Sequence, residues 1–146
     1  MSQPSLDADR LERIRDAFAR VPYAHLLGLE LGEMTDGVAT VHLKVRDELK
    51  QNEGVVHGGA IASLIDTASA FAVVTQLEPN EHVTTTDLTI HYLRPITKGS
   101  MTAKARVLRR GRRLFVIQVD VSDDQQVLLA TAVTGYIKIS YKAPNA

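Results

Sequence analysis

Residues 58–77, GGAIASLIDTASAFAVVTQL, carry one charged side chain in twenty positions, and it is Asp66. Small and aliphatic residues recur on every face at helical spacing, which predicts a helix from about Gly58 to Leu77. A helix apolar all round must be covered all round. One curved sheet covers one flank, so the other calls for a second subunit or further elements. An unpaired carboxylate in such surroundings costs several kcal/mol or gives up its charge. Asp66 is therefore expected to have a partner or a task.

Outward from this helix the chain changes character. Upstream, RDELKQNEGVVHGG (residues 46–59) is polar, rich in turn formers and expected to be loop. Before it, LELGEM and VATVHLKV flank Asp36-Gly37, so residues 29–45 predict a hairpin. Leu11, Ile14, Ala17 and Phe18 stand at helical spacing within Leu6 to Arg20, an amphipathic helix with Asp7 as its cap. Val21-Pro22-Tyr23 interrupts it, and YAHLLGLEL has room for one further short turn. Downstream, HVTTTDLTIHYL, SMTAKARVLRR, RRLFVIQVDVS and VLLATAVTGYIKIS alternate and are rich in β-branched residues, with Gly111 and Asp123–Gln126 as breaks. Helix, two strands, long apolar helix and four strands predict an α+β chain with an antiparallel sheet of about six strands. The expected organisation is an N-terminal amphipathic helix over 1–20, one domain over 21–141 and a loose tail at 142–146.

Bulk properties exclude several classes. With 146 residues and 45% hydrophobic content, one domain with a proper core is expected. Lys plus Arg and Asp plus Glu each number 17, giving a net charge of zero and no basic excess for nucleic acid. The chain has no cysteine, which removes disulfides, thiolate chemistry and cysteine-held zinc. His25, His42, His82 and His91 share no ligand spacing, so no metal site is expected. No apolar run approaches the roughly 20 residues of a membrane span, and residues 1–20 lack a signal-type stretch. A cytoplasmic protein that binds neither membrane nor nucleic acid is expected.

QNEGVVHGGAIASLID, within this order of elements, resembles the hotdog-fold acyl-CoA thioesterases, the PaaI-like phenylacetate-degradation branch in particular. The resemblance covers roughly residues 20–140. Its specific part is Gly-x-x-His-Gly-Gly, here Gly54 to Gly59, with an acid nine positions after the histidine, here Asp66. The resemblance implies an acyl-CoA thioesterase that needs no cofactor. The Gly58 N–H would polarise the thioester carbonyl from a helix start. Asp66 would be nucleophile or general base, and His57 would position the loop and the thioester end. Gln51 stands where relatives often carry asparagine and would position the carbonyl or a water. Thr85 matches a Ser/Thr position that hydrogen-bonds the acid or its water. Of the basic residues, Arg94, Arg110 and Arg112 are candidates for the CoA phosphates, since arginine pairs with phosphate bidentately.

The spacing adds a geometric expectation. Nine residues from His57 to Asp66 make about 900° and roughly 13 Å of rise, half a turn out of phase. One chain is then unable to bring Gly58 and Asp66 to one carbonyl. The family's antiparallel helix pairing agrees: a homodimer with shared sites is expected, assembled as a dimer of dimers. Ile61, Ala62, Ala70 and Val73 are small or aliphatic pocket candidates that suit medium-chain and aryl acyl groups alike. The rival functions are a non-catalytic acyl-CoA binding or sensing protein and a hotdog dehydratase.

Overall fold

The computed structural model describes residues 4–140. The apolar stretch forms helix α3, Gly58–Val74. It is preceded by α1 (Ala8–Ala19), α2 (Pro22–Leu27), β1 (Leu29–Thr35), β2 (Val38–Lys44) and a short 3-10 turn at Asp47–Leu49. It is followed by β3 (His82–Tyr92), β4 (Ser100–Arg110), β5 (Leu114–Ser122) and β6 (Leu128–Ile139). The α+β expectation holds: six strands form one antiparallel sheet in the order β1-β2-β4-β5-β6-β3, with α3 packed against it. The expected tail at 142–146 lies outside the described residues.

Alternation along the strands sets the inner face. In β5, Phe115, Ile117, Val119 and Val121 are buried while Leu114, Val116 and Asp120 are exposed. In β2 and β4, Ala39, Val41, Leu43, Met101, Ala103 and Ala105 do the same. Leu64, Ile65, Ala68, Ala72 and Val73 of α3 press onto this face and are fully buried. Each buried Leu or Ile contributes about 1.5–3 kcal/mol of transfer free energy. Tight turns set the strand pairing. Asp36-Gly37 links β1 to β2 with Thr35 opposite Val38, and Gly37 takes φ 74, where a side chain is disfavoured.

Two elements differ from expectation. Helix α3 ends at Val74, three residues short of Leu77. Gln76 and Leu77 donate to Val73 and Val74, tightening the last turn. Thr75 Oγ1 donates to the Ala72 carbonyl and accepts from Gly37 N, which holds the helix end against the β1–β2 turn. The loop before α3 also contains the 3-10 turn, closed by Leu49 N on the Arg46 carbonyl. The N-terminal helix is capped by Asp7, which accepts from Arg10 N at 2.8 Å. It lies over the end of α3: Ile14 is buried, and Phe18 meets Phe71 edge-on with centroids 5.0 Å apart.

Strand β3 stands apart. Among the described residues it pairs only with β6 and forms a sheet edge, and none of its residues is buried. On α3, the face carrying Ala62, Ser63, Asp66, Thr67 and Ala70 is only half-buried. A single chain thus leaves uncovered one flank of its most apolar helix and the edge beside it.

Candidate active site

The start of α3 is built from its own loop. His57 is the N-cap, and its Nδ1 accepts from Gly59 N at 2.7 Å. Ala60 and Ile61 both donate to the His57 carbonyl. Of the first four amides, which no helix satisfies internally, only that of Gly58 has no acceptor among the described residues. Gly58 lines a cleft of about 360 Å³ together with Gln51, Val55, Ile61, Tyr92 and Arg94. An unpaired donor with the positive helix end behind it is suited to a developing oxyanion.

Tyr92 closes over this glycine. Its hydroxyl donates to the Gly58 carbonyl at 2.8 Å, and a Cβ on Gly58 would lie 3.3 Å from the phenol ring. A side chain at Gly58 would therefore fit only if the tyrosine gave way by a few tenths of an ångström. Gln51 lines the cleft, and its Oε1 accepts from Glu53 N at 2.7 Å, bracing the turn that precedes the helix. Arg94 lines the cleft too, and its guanidinium donates to the Leu128 carbonyl at 2.8 Å.

Asp66 sits two turns further along α3, half-buried. Thr85 Oγ1 of β3 donates to its Oδ1 at 2.8 Å, and the Tyr136 hydroxyl of β6 makes a short hydrogen bond to the same oxygen. That hydroxyl also lies 2.6 Å from the Asp66 carbonyl oxygen. Oδ2 has no hydrogen-bond partner among the described residues and reaches the surface. Burial, and then the carboxylate beside it, push the Tyr136 phenol well above its ordinary range, so it stays a proton donor.

A backbone irregularity follows Thr85. In the β3–β6 pair Thr85 faces Tyr136 and Asp87 faces Gly135, leaving Thr86 as the extra residue of a bulge. A Cβ on Gly135 would lie 2.7 Å from Thr86 Oγ1 and closer still to Asp87. Gly135 thus leaves room for the bulge, while Thr85 and Tyr136, an opposed pair sharing one face of the sheet, bring two hydroxyls to one carboxylate oxygen.

The structure separates other expected partners. From Gly58 to Asp66 is eight residues, about 12 Å of rise and 80° of rotation. The phase difference is nearer a quarter turn than the half turn counted from His57, because the helix begins one residue later. The rise is what keeps Gly58 and Asp66 of one chain from a common carbonyl. Arg94 follows the end of β3 that adjoins Leu128, whereas Arg110 and Arg112 lie at the β4–β5 turn beside Ile137. Along β6 these ends are roughly 30 Å apart. Val73 is fully buried in the core, whereas Ile61 lines the cleft beside Gly58. A larger depression, about 780 Å³, lies beside Glu81, Arg113 and Lys138, away from Asp66.

Sequence reasoning missed Tyr92 and Tyr136. For Tyr136 a signal existed: on alternation it shares the inward phase of β6 with Ala132 and Thr134, and a buried phenol needs a partner. Asp66, a carboxylate in an apolar helix, needed donors. Each was the other's complement. No group of His, Asp and Glu among the described residues is placed to hold a metal ion. No helix among them is long and apolar enough to cross a membrane.

The chain is similar in sequence and fold to known thioesterases. The sequence profile of the Thioesterase superfamily matches residues 53–130. The structure superposes on the E. coli PaaI protein from the phenylacetic acid degradation operon with a TM-score of 0.85 and 26% identity, covering 92% of this chain and 96% of that one. A thioesterase from Haemophilus influenzae shares the fold at a TM-score of 0.83 and 24% identity, covering 96% of both chains. The medium/long-chain acyl-CoA thioesterase YigI of E. coli is 28% identical over 132 residues, 80% of this chain and 85% of that protein. The fold is the hotdog fold, and the class it defines here is a thioester hydrolase. The chain belongs to the thioesterase superfamily and is PaaI-like within it.

Proposed function

We propose that the chain hydrolyses the thioester of a medium-chain or aryl acyl-CoA, giving the free acid and coenzyme A. The observation that carries this is Asp66, the one charge on an apolar helix, tied at Oδ1 by two hydroxyls and open at Oδ2. As general base, the carboxylate takes a proton from water. The water oxygen bonds to the thioester carbon, the C–S bond breaks, and the CoA thiolate takes up the proton. As nucleophile, Asp66 bonds to that carbon itself and expels the thiolate, and water then cleaves the mixed anhydride. In both routes the carbonyl oxygen gains charge, and the free Gly58 N–H is the donor suited to receive it. His57 holds the loop as N-cap, and Gln51 positions the carbonyl or water from the cleft wall.

The site is completed across a homodimer, with Gly58 and Gln51 of one chain facing Asp66 and Thr85 of the other. Two features support this. The rise along α3 separates the donor from the acid, and β3 leaves an open sheet edge. A twofold axis at that edge runs the two β3 strands antiparallel, so the Tyr92 end of one meets the His82 end of the other. The same reversal brings Arg94 of one chain towards Arg110 and Arg112 of its mate, where one CoA can reach both. Further assembly as a dimer of dimers and a cytoplasmic location belong to the same proposal. The acyl-CoA specificity of YigI and the operon of PaaI bracket the acyl groups to try first.

The test is Asp66→Asn, which keeps the shape and removes the base. It is expected to fold and to lose hydrolysis about 10²–10⁴-fold, followed by free-thiol release from a panel of acyl-CoAs. Near-normal turnover by the purified variant would end the assignment. Enoyl product from hydroxyacyl-CoA would make the chain a dehydratase instead.

A further inference from the structure

We propose that Thr85 and Tyr136 together anchor Oδ1 of Asp66 and so make Oδ2 the oxygen that reacts, with Tyr136 a positioning residue of the site. The proposal rests on the assignment of Asp66 under Proposed function. Tyr136 is 2% exposed, and its hydroxyl meets both the carboxylate and the backbone carbonyl of the same residue. Thr85 stands directly opposite Tyr136 in the strand pair and donates to the same oxygen. A carboxylate oxygen offers about two lone-pair sites, so two hydroxyl donors fill those of Oδ1. Exchanging the two oxygens by rotation about the Cβ–Cγ bond breaks both hydrogen bonds. Oδ2 keeps its lone pairs and its access to the surface.

The anchor serves either chemical route. As base, Oδ2 takes the proton of the attacking water and returns it to the departing thiolate sulfur. As nucleophile, Oδ2 forms the bond to the acyl carbon as the C–S bond breaks, and water later releases it. Neither route consumes the Tyr136 proton, and burial keeps that proton in place. The phenol therefore aims the carboxylate without entering the reaction.

Tyr136→Phe keeps the ring and removes only the donor. Its kcat is expected to fall by up to about 10²-fold with KM for acyl-CoA within about twofold, since misaim of a reacting group is felt in the transition state. Thr85→Val should lower kcat in the same way, and Thr85→Ser, which restores a hydroxyl, should recover most of it. A merely structural tyrosine would lower the melting temperature and yield and leave kcat per folded subunit unchanged; that result overturns the proposal. A rise in KM at constant kcat overturns it equally. Should Tyr136→Phe fail to fold, the Thr85 pair decides: a full-rate Thr85→Val removes the anchor. Asp66→Asn separates the two levels. Turnover by that variant sinks the assignment of Asp66, whereas an inactive Asp66→Asn beside a full-rate Tyr136→Phe sinks only the anchoring.

Discussion

Tyr136 carries a signature that is measurable in the fold itself. An unfolded tyrosine titrates near 10, while burial and the Asp66 carboxylate hold this one protonated well above that. A raised folded value means that the contribution to stability is complete below about pH 10. Above it the unfolded chain sheds a proton that the folded chain keeps, and stability falls until the folded phenol ionises as well. Urea unfolding from pH 8 to 11 should therefore show a steeper alkaline decline for the wild type than for Tyr136→Phe. The difference in slope is bounded by one proton, about 1.4 kcal/mol per pH unit. Parallel slopes would mean that the phenol ionises normally in the folded protein.

At the scale of elements, a strand defect adjoins the proposed site. The bulge at Thr86 directly follows the opposed pair Thr85 and Tyr136, and Gly135, which has no side chain, leaves room for Thr86 and Asp87. Gly135→Val is expected to crowd Thr86 and Asp87, to cost about 1–3 kcal/mol as an overpacked position does, and to lower kcat by misplacing Thr85. Asp87→Ala, which removes one of the crowding side chains, should recover part of both losses in the double variant. Restoration of stability without kcat would place the bulge outside the site's geometry. The beginning of β3 is tied separately: Lys138 Nζ lies 2.7 Å from Glu81 Oε1 and holds that carboxyl below its usual range. The contribution of that pair is present above the ordinary glutamate range and is lost as pH falls through the lowered folded value.

For the whole molecule, the proposed sharing of the site makes a quantitative claim. Gly58→Pro removes the proposed oxyanion donor, and proline at the first position of a helix is normally tolerated, although Tyr92 leaves it little room. Mixed with Asp66→Asn and allowed to exchange, half the dimers should carry one intact site of two. About a quarter of wild-type activity should return from two inactive proteins. No recovery from demonstrably mixed dimers would mean that each chain supplies its own donor and acid. The arginines test the same geometry. Arg94→Ala, Arg110→Ala and Arg112→Ala should each raise KM for acyl-CoA with little change in kcat. None should affect an acyl-pantetheine thioester, which lacks the nucleotide. Equal effects on both substrates would place these side chains elsewhere.

Local chemistry was enough to determine the order of elements, the Asp36-Gly37 hairpin, the Asp7 cap and the singular status of Asp66, because periodicity, turn residues and the cost of burying a charge act within a few positions. The Gly54–Gly59 run was legible through its resemblance to the thioesterase motif. Only the tertiary structure decided that β3 leaves its chain neighbours to pair with β6 at the sheet edge. It also decided that Tyr136, seventy residues from Asp66, supplies its second hydroxyl, and that Arg94 and Arg110 stand at opposite ends of the sheet. These follow from strand order and pairing register. A side chain's face reverses with each residue of register, and pairing between distant segments leaves no periodic trace in either one.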